Sequence, residues 1–183
     1  MLGKAEKIEK SAAAGLLDST LPFMNAPPVN LGKICDWLGV EVYTMPCESF
    51  GAMFSLRDGK KFLMVNERLQ QGRFRFSIAH ELGHILLNHE PIRHIYEERE
   101  RAIEAQADAF AAELLLPERF LRGDCAKYTV AELIRRYKVS RQSLELQLSS
   151  LRLIPKGTPS GAASRLPQRG RPSPMTGGVL QHK

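Results

Sequence analysis

The stretch Phe76–Leu87 decides how this chain folds; it reads Phe-Ser-Ile-Ala-His-Glu-Leu-Gly-His-Ile-Leu-Leu. Its large apolar residues recur at steps of three and four, namely Ile78, Leu82, Ile85 and Leu86. That spacing places them on one face of an α-helix. We therefore predict an amphipathic helix from about Arg73 to Asn88, with the polar residues of the stretch on its other faces.

Two histidines and a glutamate in this helix form the pattern His80-Glu81-Leu82-Gly83-His84. Positions i and i+4 of a helix share a face, so both imidazoles can reach one cation. Glu81 then lies beside them, close to any water on that cation, which is the arrangement of a catalytic zinc site. The alternative, two ordinary helix histidines, is less favoured because of the helical pattern that flanks them.

A catalytic zinc needs a third protein ligand and an open position for water. A second long helix, predicted from Tyr96 to Leu116 and ended by Pro117, carries Glu104 and Asp108 among the apolar residues Ala107, Phe110, Ala111 and Leu114. Carboxylates on an apolar face are costly to bury unless they are paired or bound to metal. We assign Glu104 as the third ligand and Asp108 as the acceptor for the N–H of one ligating histidine. The alternative is a solvated acidic stripe shared with Glu97, Glu98 and Glu100.

The sequence before this region predicts short helices followed by a small sheet. A helix is expected over residues 6–17, and a second one begins at the N-cap Asn30 and ends at Gly39. Period-two patterns then predict three strands, around Val40–Tyr43, Met53–Leu56 and Phe62–Val65. Asp58-Gly59 is a hairpin turn between the last two. We expect the three strands to form an antiparallel sheet.

After Pro117 the chain predicts a pair of short helices. Thr129 with Glu132 three residues later is a capping box, and Ser140 caps the next helix. The pair has the size of a helix-turn-helix. In that role Arg141, Gln142 and Ser143 would open the recognition helix, and Arg135, Arg136 and Lys138 would meet phosphates. Small helical pairs more often complete a core, so direct DNA binding is an alternative that we do not favour.

Composition indicates a globular protein with a basic appendage. The chain has 183 residues, 43% of them hydrophobic and 25% charged, with a net charge of +6, and no segment has the roughly 20 apolar residues of a membrane span. Residues 155–183 are rich in proline and glycine, contain no acidic residue and supply +5 of the +6, so we expect a disordered tail. The rest is nearly neutral. Three widely spaced cysteines and an N-terminus without the apolar core of a signal peptide favour the cytoplasm.

The residues around the two predicted ligand helices resemble the ImmA/IrrE family of zinc metallopeptidases. Ala79 to His84 is shared with other zincins, whereas the segment from Glu104 to Pro117, which ends in Leu-Leu-Leu-Pro, is more specific. The resemblance covers roughly residues 20–154. It implies one Zn²⁺ per chain, held by His80, His84 and Glu104, in agreement with the spacing. Gln106 is a departure, because members commonly carry an acidic residue there; it lies on another face from the ligand, so we do not expect it to disturb the site.

The resemblance also implies an α+β fold in which the three-stranded sheet packs on a zincin-type helical core. We divide the chain into a metallopeptidase domain at 1–124, a helix-turn-helix-like segment at 125–154 and the basic tail at 155–183. The implied activity is that of a narrow-specificity endopeptidase that cleaves a regulatory protein, such as a helix-turn-helix repressor encoded nearby, in transcriptional control, stress responses or toxin–antitoxin systems. The alternative is a non-proteolytic zinc-containing regulator or antitoxin that binds its partner protein or DNA.

In the peptidase interpretation Glu81 is the general base. His94, Tyr96 and Arg73 are all candidates for stabilising the oxyanion, and the sequence does not choose among them. His89 lies off the ligand face and is expected to be structural or to support a ligand from outside the metal's own shell.

Overall fold

The computed structural model describes residues 12–16, 18, 26–89 and 97–157. A helical stretch over residues 12–16 is followed by these elements in chain order: α1 (Leu31–Leu38), β1 (Val40–Met45), β2 (Ala52–Arg57), β3 (Lys60–Asn66), α2 (Gln71–Leu86), α3 (Glu97–Leu115), α4 (Glu118–Cys125), α5 (Val130–Tyr137) and α6 (Arg141–Leu151). The predicted strands are confirmed, as are the predicted helices α1, α2, α3, α5 and α6, with ends that move by a few residues. The helix α4 was not predicted.

Three predictions fall wholly or largely outside the described residues. The helix expected over residues 6–17 is described only from residue 12, where it is helical. The basic tail is described only to residue 157. There the Lys156 N–H donates to the Cys125 carbonyl at 2.8 Å. The oxyanion candidates His94 and Tyr96 both lie in the undescribed part of the chain.

Helix ends form where the local sequence satisfies free backbone groups. The Asn30 side chain accepts from Lys33 N at the start of α1, and Gly39 ends that helix in the left-handed conformation, with φ of 63°. Thr129 and Glu132 form the predicted capping box at α5, and the Ser140 side chain caps α6 by accepting from Ser143 N. These predicted caps are confirmed.

The sheet is mixed, with strand order β1-β3-β2. β2 and β3 form the predicted antiparallel hairpin across Asp58-Gly59, both of which have positive φ. β1 instead runs parallel to β3, with Val40 opposite Lys61, so the expected antiparallel sheet is wrong for this strand. Burial explains why β1 pairs with β3 at one edge of the sheet. β3 carries the fully buried Leu63 and Val65 and occupies the centre, whereas β1, exposed at every position after Val40, takes an edge.

The packing of α2 against α3 positions the site. At Gly83 in α2, an added Cβ would lie 3.2 Å from Ala107 Cα and 3.2 Å from the Phe110 ring, so only glycine fits this close approach without displacement. One hydrophobic core continues from the helical stretch at 12–16 through the sheet to α5 and α6, and its largest fully buried side chains include Phe110, Leu82 and Tyr137. Among the described helices, none is long and apolar enough to cross a membrane.

Candidate metal centre

Four side chains from two helices meet at the α2–α3 contact. His80 and His84 lie one turn apart on α2, and Glu104 and Asp108 lie one turn apart on α3. Because residues four apart share a helix face, each helix presents its pair toward the other. The structure therefore brings together the residues that the spacing predicted to be close.

Three donor atoms converge at this point. His80 Nε2 lies 3.0 Å from His84 Nε2 and 3.2 Å from one carboxylate oxygen of Glu104, while His84 Nε2 lies 3.5 Å from the other oxygen. Among the described residues, His80, His84 and Glu104 form the one cluster of potential ligands whose donor atoms all lie within 4.8 Å of one another.

This donor set fits zinc. Bonds of about 2.0–2.2 Å in a tetrahedral site separate neighbouring ligand atoms by about 3.3 Å, which lies inside the observed range. The two histidine side chains are 17% and 16% exposed and the Glu104 side chain is 44% exposed, so the cluster opens to solvent on one side. Three protein donors with an open position are typical of a catalytic rather than a structural zinc site.

Asp108 contacts the outer nitrogen of His80. The distance from His80 Nδ1 to Asp108 Oδ1 is 2.9 Å, so Nδ1–H donates to the carboxylate and Nε2 is left facing the cluster. A carboxylate in this position fixes the ring orientation of a ligating histidine. This is the contact that we predicted for Asp108 with one of the two histidines.

The two histidines differ in charge when no metal is bound. Burial lowers the pKa of His80, but hydrogen bonds to Asp108 and Glu104 outweigh it and raise the pKa to about 9. Burial, together with the neighbouring charge of His80, lowers the pKa of His84 to about 4. The hydrogen bond from His80 likewise lowers the pKa of Glu104. The cluster therefore holds a proton on His80 at neutral pH, and a metal ion would have to displace it.

Glu81 points away from the packed face, toward the sheet. Its carboxylate accepts a hydrogen bond from Phe54 N, in the edge strand β2, at 3.1 Å. Burial raises the pKa of Glu81, which makes the carboxylate a better proton acceptor than one in water. The positive charge of His80 opposes this rise in the pKa, and the negative charge of Glu104 adds to it.

Two contacts at the site were not anticipated. The Phe54 backbone as the partner of Glu81 has no signal in the sequence, because any residue at that strand position offers the same N–H. Gln106, which we expected not to disturb the site, makes the second such contact, since its Oε1 lies 3.1 Å from His89 Nε2. His89 Nδ1 in turn lies 3.0 Å from His84 Nδ1, which is where a residue that supports a ligand would lie. Of the oxyanion candidates, only Arg73 is described; it is exposed in the first turn of α2.

Comparison with known proteins assigns the sequence that contains this site to a family. The sequence profile of the IrrE N-terminal-like domain (Peptidase_M78) matches residues 35–149, which include all of the described site. No curated protein sequence is significantly similar to the chain.

A solved structure shares the fold. It is described as a Mycobacterium tuberculosis transcriptional regulator and is 19% identical, with a TM-score of 0.59 over 84% of this chain and 48% of its own. This chain thus spans about half of that protein's length, and at this identity the likeness shows the fold alone. Because the family profile covers more than half of the sequence, the chain belongs to the ImmA/IrrE family of metallopeptidase-like domains.

Proposed function

We propose that this protein is a zinc-dependent endopeptidase of narrow specificity that cleaves a regulatory protein. The observation that carries the proposal is the convergence of His80, His84 and Glu104 beside a partly buried Glu81 whose carboxylate is held by the sheet edge. A purely structural zinc site usually has four protein ligands and needs no base beside it. Membership in a family that is zinc-dependent in general supports the same function.

The chain's own residues divide the work in this mechanism. His80, His84 and Glu104 would hold the Zn²⁺, and Asp108 keeps the His80 ring in place. When bound, zinc polarises the scissile carbonyl and lowers the pKa of water. Glu81 takes the proton of the attacking water and later delivers it to the leaving amine. The Phe54 N–H orients the Glu81 carboxylate for both transfers.

The substrate we propose is a helix-turn-helix DNA-binding repressor encoded near this gene. The structural neighbour's description as a transcriptional regulator supports a regulatory setting, although half of that protein lies outside the match. We place the reaction in the cytoplasm, in keeping with the three free thiols of Cys35, Cys47 and Cys125.

Direct DNA binding by α5 and α6 remains disfavoured. The turn between these helices lies against α2, where an added Cβ at Gly72 would be 2.6 Å from Ser140 N. Two of the basic residues proposed for DNA contact are also engaged, since Arg136 pairs with Asp124 and Arg141 pairs with Glu145. These contacts support a role of the pair in the protein's own core.

The decisive experiment compares the wild-type protein with Glu81→Gln. Each is incubated with the purified neighbouring regulator, fragments are identified by mass spectrometry and bound zinc is measured. Glu81→Gln should keep one zinc per chain and lose cleavage by about a hundredfold or more, since a general base contributes that much. Glu67→Gln, a matched change at an exposed side chain, should cleave normally.

The ligand assignment is tested with Glu104→Ala, which should lose zinc, against Glu100→Ala one turn earlier on α3, which should keep it. Undiminished cleavage by Glu81→Gln would contradict the peptidase proposal. If the wild-type protein binds zinc and the regulator but produces no fragments, sequestration of the partner takes its place.

A further inference from the structure

The end of α2 folds back over one of the proposed ligands. Asn88 adopts the left-handed conformation, with φ of 52°, and the N–H of the next residue, His89, donates to the His84 carbonyl at 3.0 Å. A second bond from Asn88 N to the Ile85 carbonyl completes a Schellman motif. Asparagine tolerates this conformation better than most residues other than glycine. The turn therefore sets His89 directly against His84.

The side chains continue the contact between the two residues. His89 Nδ1 lies 3.0 Å from His84 Nδ1, and the two rings meet edge to face, with their centres 5.0 Å apart. On its other side, His89 Nε2 lies 3.1 Å from Oε1 of Gln106 on α3. A chain of two hydrogen bonds thus connects His84 to the opposite helix.

One placement of protons satisfies both hydrogen bonds. His84 directs Nε2 at the donor cluster, so as a ligand it must carry its hydrogen on Nδ1. His89 Nδ1 then accepts that hydrogen, which leaves its own on Nε2, where Gln106 Oε1 accepts it. Gln106 can thus select the tautomer of His89, and His89 can in turn select the tautomer of His84.

We infer that His89 and Gln106 are positioning residues for the metal ligand His84. They hold its ring in the orientation and tautomer that present Nε2 to the metal, as Asp108 does for His80. The two histidines are supported differently, because His80 has a direct carboxylate partner whereas His84 has a neutral relay. The inference rests on the proposed binding of zinc by His84.

The test measures zinc affinity by competition with a chromophoric chelator at fixed pH, starting from metal-free full-length protein. His89→Phe keeps a ring but removes both hydrogen bonds, and it should weaken zinc binding about 10- to 100-fold, the usual effect of losing such support. Gln106→Leu removes only the outer bond and should weaken binding less. Gln106→Glu restores an acceptor oxygen and should return affinity to within a few-fold of the wild type.

Two further measurements separate positioning from a general loss of structure. With Co²⁺ in place of zinc, the visible absorption bands of His89→Phe should differ from those of the wild type, while the melting temperature of the metal-free variant should change little. Gln142→Leu, a matched change at an exposed position of α6, should alter neither.

The outcomes distinguish this inference from the proposed function. If the wild type does not bind zinc, both fail. If the wild type binds zinc tightly and His89→Phe binds it equally well with the same Co²⁺ spectrum, the positioning role is refuted while the peptidase proposal stands. Weaker binding by Gln106→Leu that Gln106→Glu does not restore would also contradict the inference.

Discussion

The helix pairs α2–α3 and α5–α6 differ in how far apart in sequence their stabilising contacts lie. In α5–α6 each helix begins at a side-chain cap, Thr129 or Ser140, and ends at a residue with positive φ, Lys138 or Arg152. In α2, by contrast, Gln70 makes no capping hydrogen bond with its side chain within the described chain, and the first turn has no acidic residue. The contacts that join α2 to α3 are instead distant in sequence, such as the close packing of Gly83 on Ala107 and the hydrogen bond between His80 and Asp108.

The comparison shows where local sequence suffices and where it does not. Caps determine the ends of α5 and α6, and the spacing of their leucines indicates the buried face. Both signals act within a few residues. The candidate metal centre depends on residues 28 apart in sequence, such as His80 and Asp108, and on the close approach permitted by Gly83. A polar cluster of this kind has little to stabilise it until both helices are in place.

The first prediction tests whether local signals alone hold α5. Asp124 in α4 is 7% exposed and accepts from Tyr137 Oη at 2.8 Å and from Arg136 Nε at 2.7 Å. Asp124→Ala leaves both donors without this acceptor and should lower the free energy of unfolding by about 3 kcal/mol. Urea denaturation measures the loss.

Asp124→Asn serves as the control, because it keeps an acceptor oxygen for both donors and should cost clearly less. If Asp124→Ala lowers the free energy of unfolding by no more than the loss of a helix cap would, local signals are sufficient, and the hydrogen bonds from Tyr137 and Arg136 to Asp124 add nothing to the stability of α5.

The second prediction concerns the contact between the two pairs. At Gly72 an added Cβ would lie 2.6 Å from Ser140 N and 2.8 Å from the Val139 carbonyl carbon, both backbone atoms that cannot turn aside. Gly72→Ala should therefore destabilise the protein by about 2 kcal/mol, in spite of alanine's higher helix propensity, because overpacking of this kind costs about 1–3 kcal/mol. Thermal unfolding of the metal-free protein measures it.

Gly123 in α4 provides the matched control. An added Cβ there meets no atom within 4 Å, so Gly123→Ala should stabilise the protein by up to about 1 kcal/mol. A Gly72→Ala variant as stable as Gly123→Ala would show that the two helix pairs are not in close contact at this point.

The third and smallest effect is expected from Thr129→Ala. It removes the capping box of α5 and should cost about 1 kcal/mol of unfolding free energy. Zinc affinity should not change, because the cap supports no residue of the centre. Thr129→Ser, which retains the hydroxyl, should restore the lost stability. A drop in zinc affinity in Thr129→Ala would contradict the conclusion that this cap acts on α5 alone.

Much of this arrangement could be predicted from the sequence because its signals are periodic or local. The i, i+4 spacing of His80 and His84 and the two carboxylates of α3 placed the donor atoms, and Asp58-Gly59 located the hairpin. Whether those residues bind zinc is a prediction that the proposed experiments test. The predicted direction of β1 was wrong. Alternation of apolar and polar residues reveals a strand and its buried face, but it carries no information about which neighbour the strand pairs with.

The remaining features could not be predicted because they depend on backbone groups or on side chains joined by folding. The N–H of Phe54 reaches Glu81 only because β2 is the outer strand beside α2. The link from His84 through His89 to Gln106 needs both the reversal at Asn88 and the crossing of α3. The division of the chain at residues 124 and 154 stays a prediction.

The contact between Gly72 and the turn at Ser140 also bears on the order of assembly during synthesis. The start of α2 meets a neighbour that the ribosome makes about 70 residues later, and contacts of such long separation form late in folding. Until then, the start of α2 lacks this backbone neighbour, so the helix that carries His80 and His84 completes its packing only after the turn before α6 has been made.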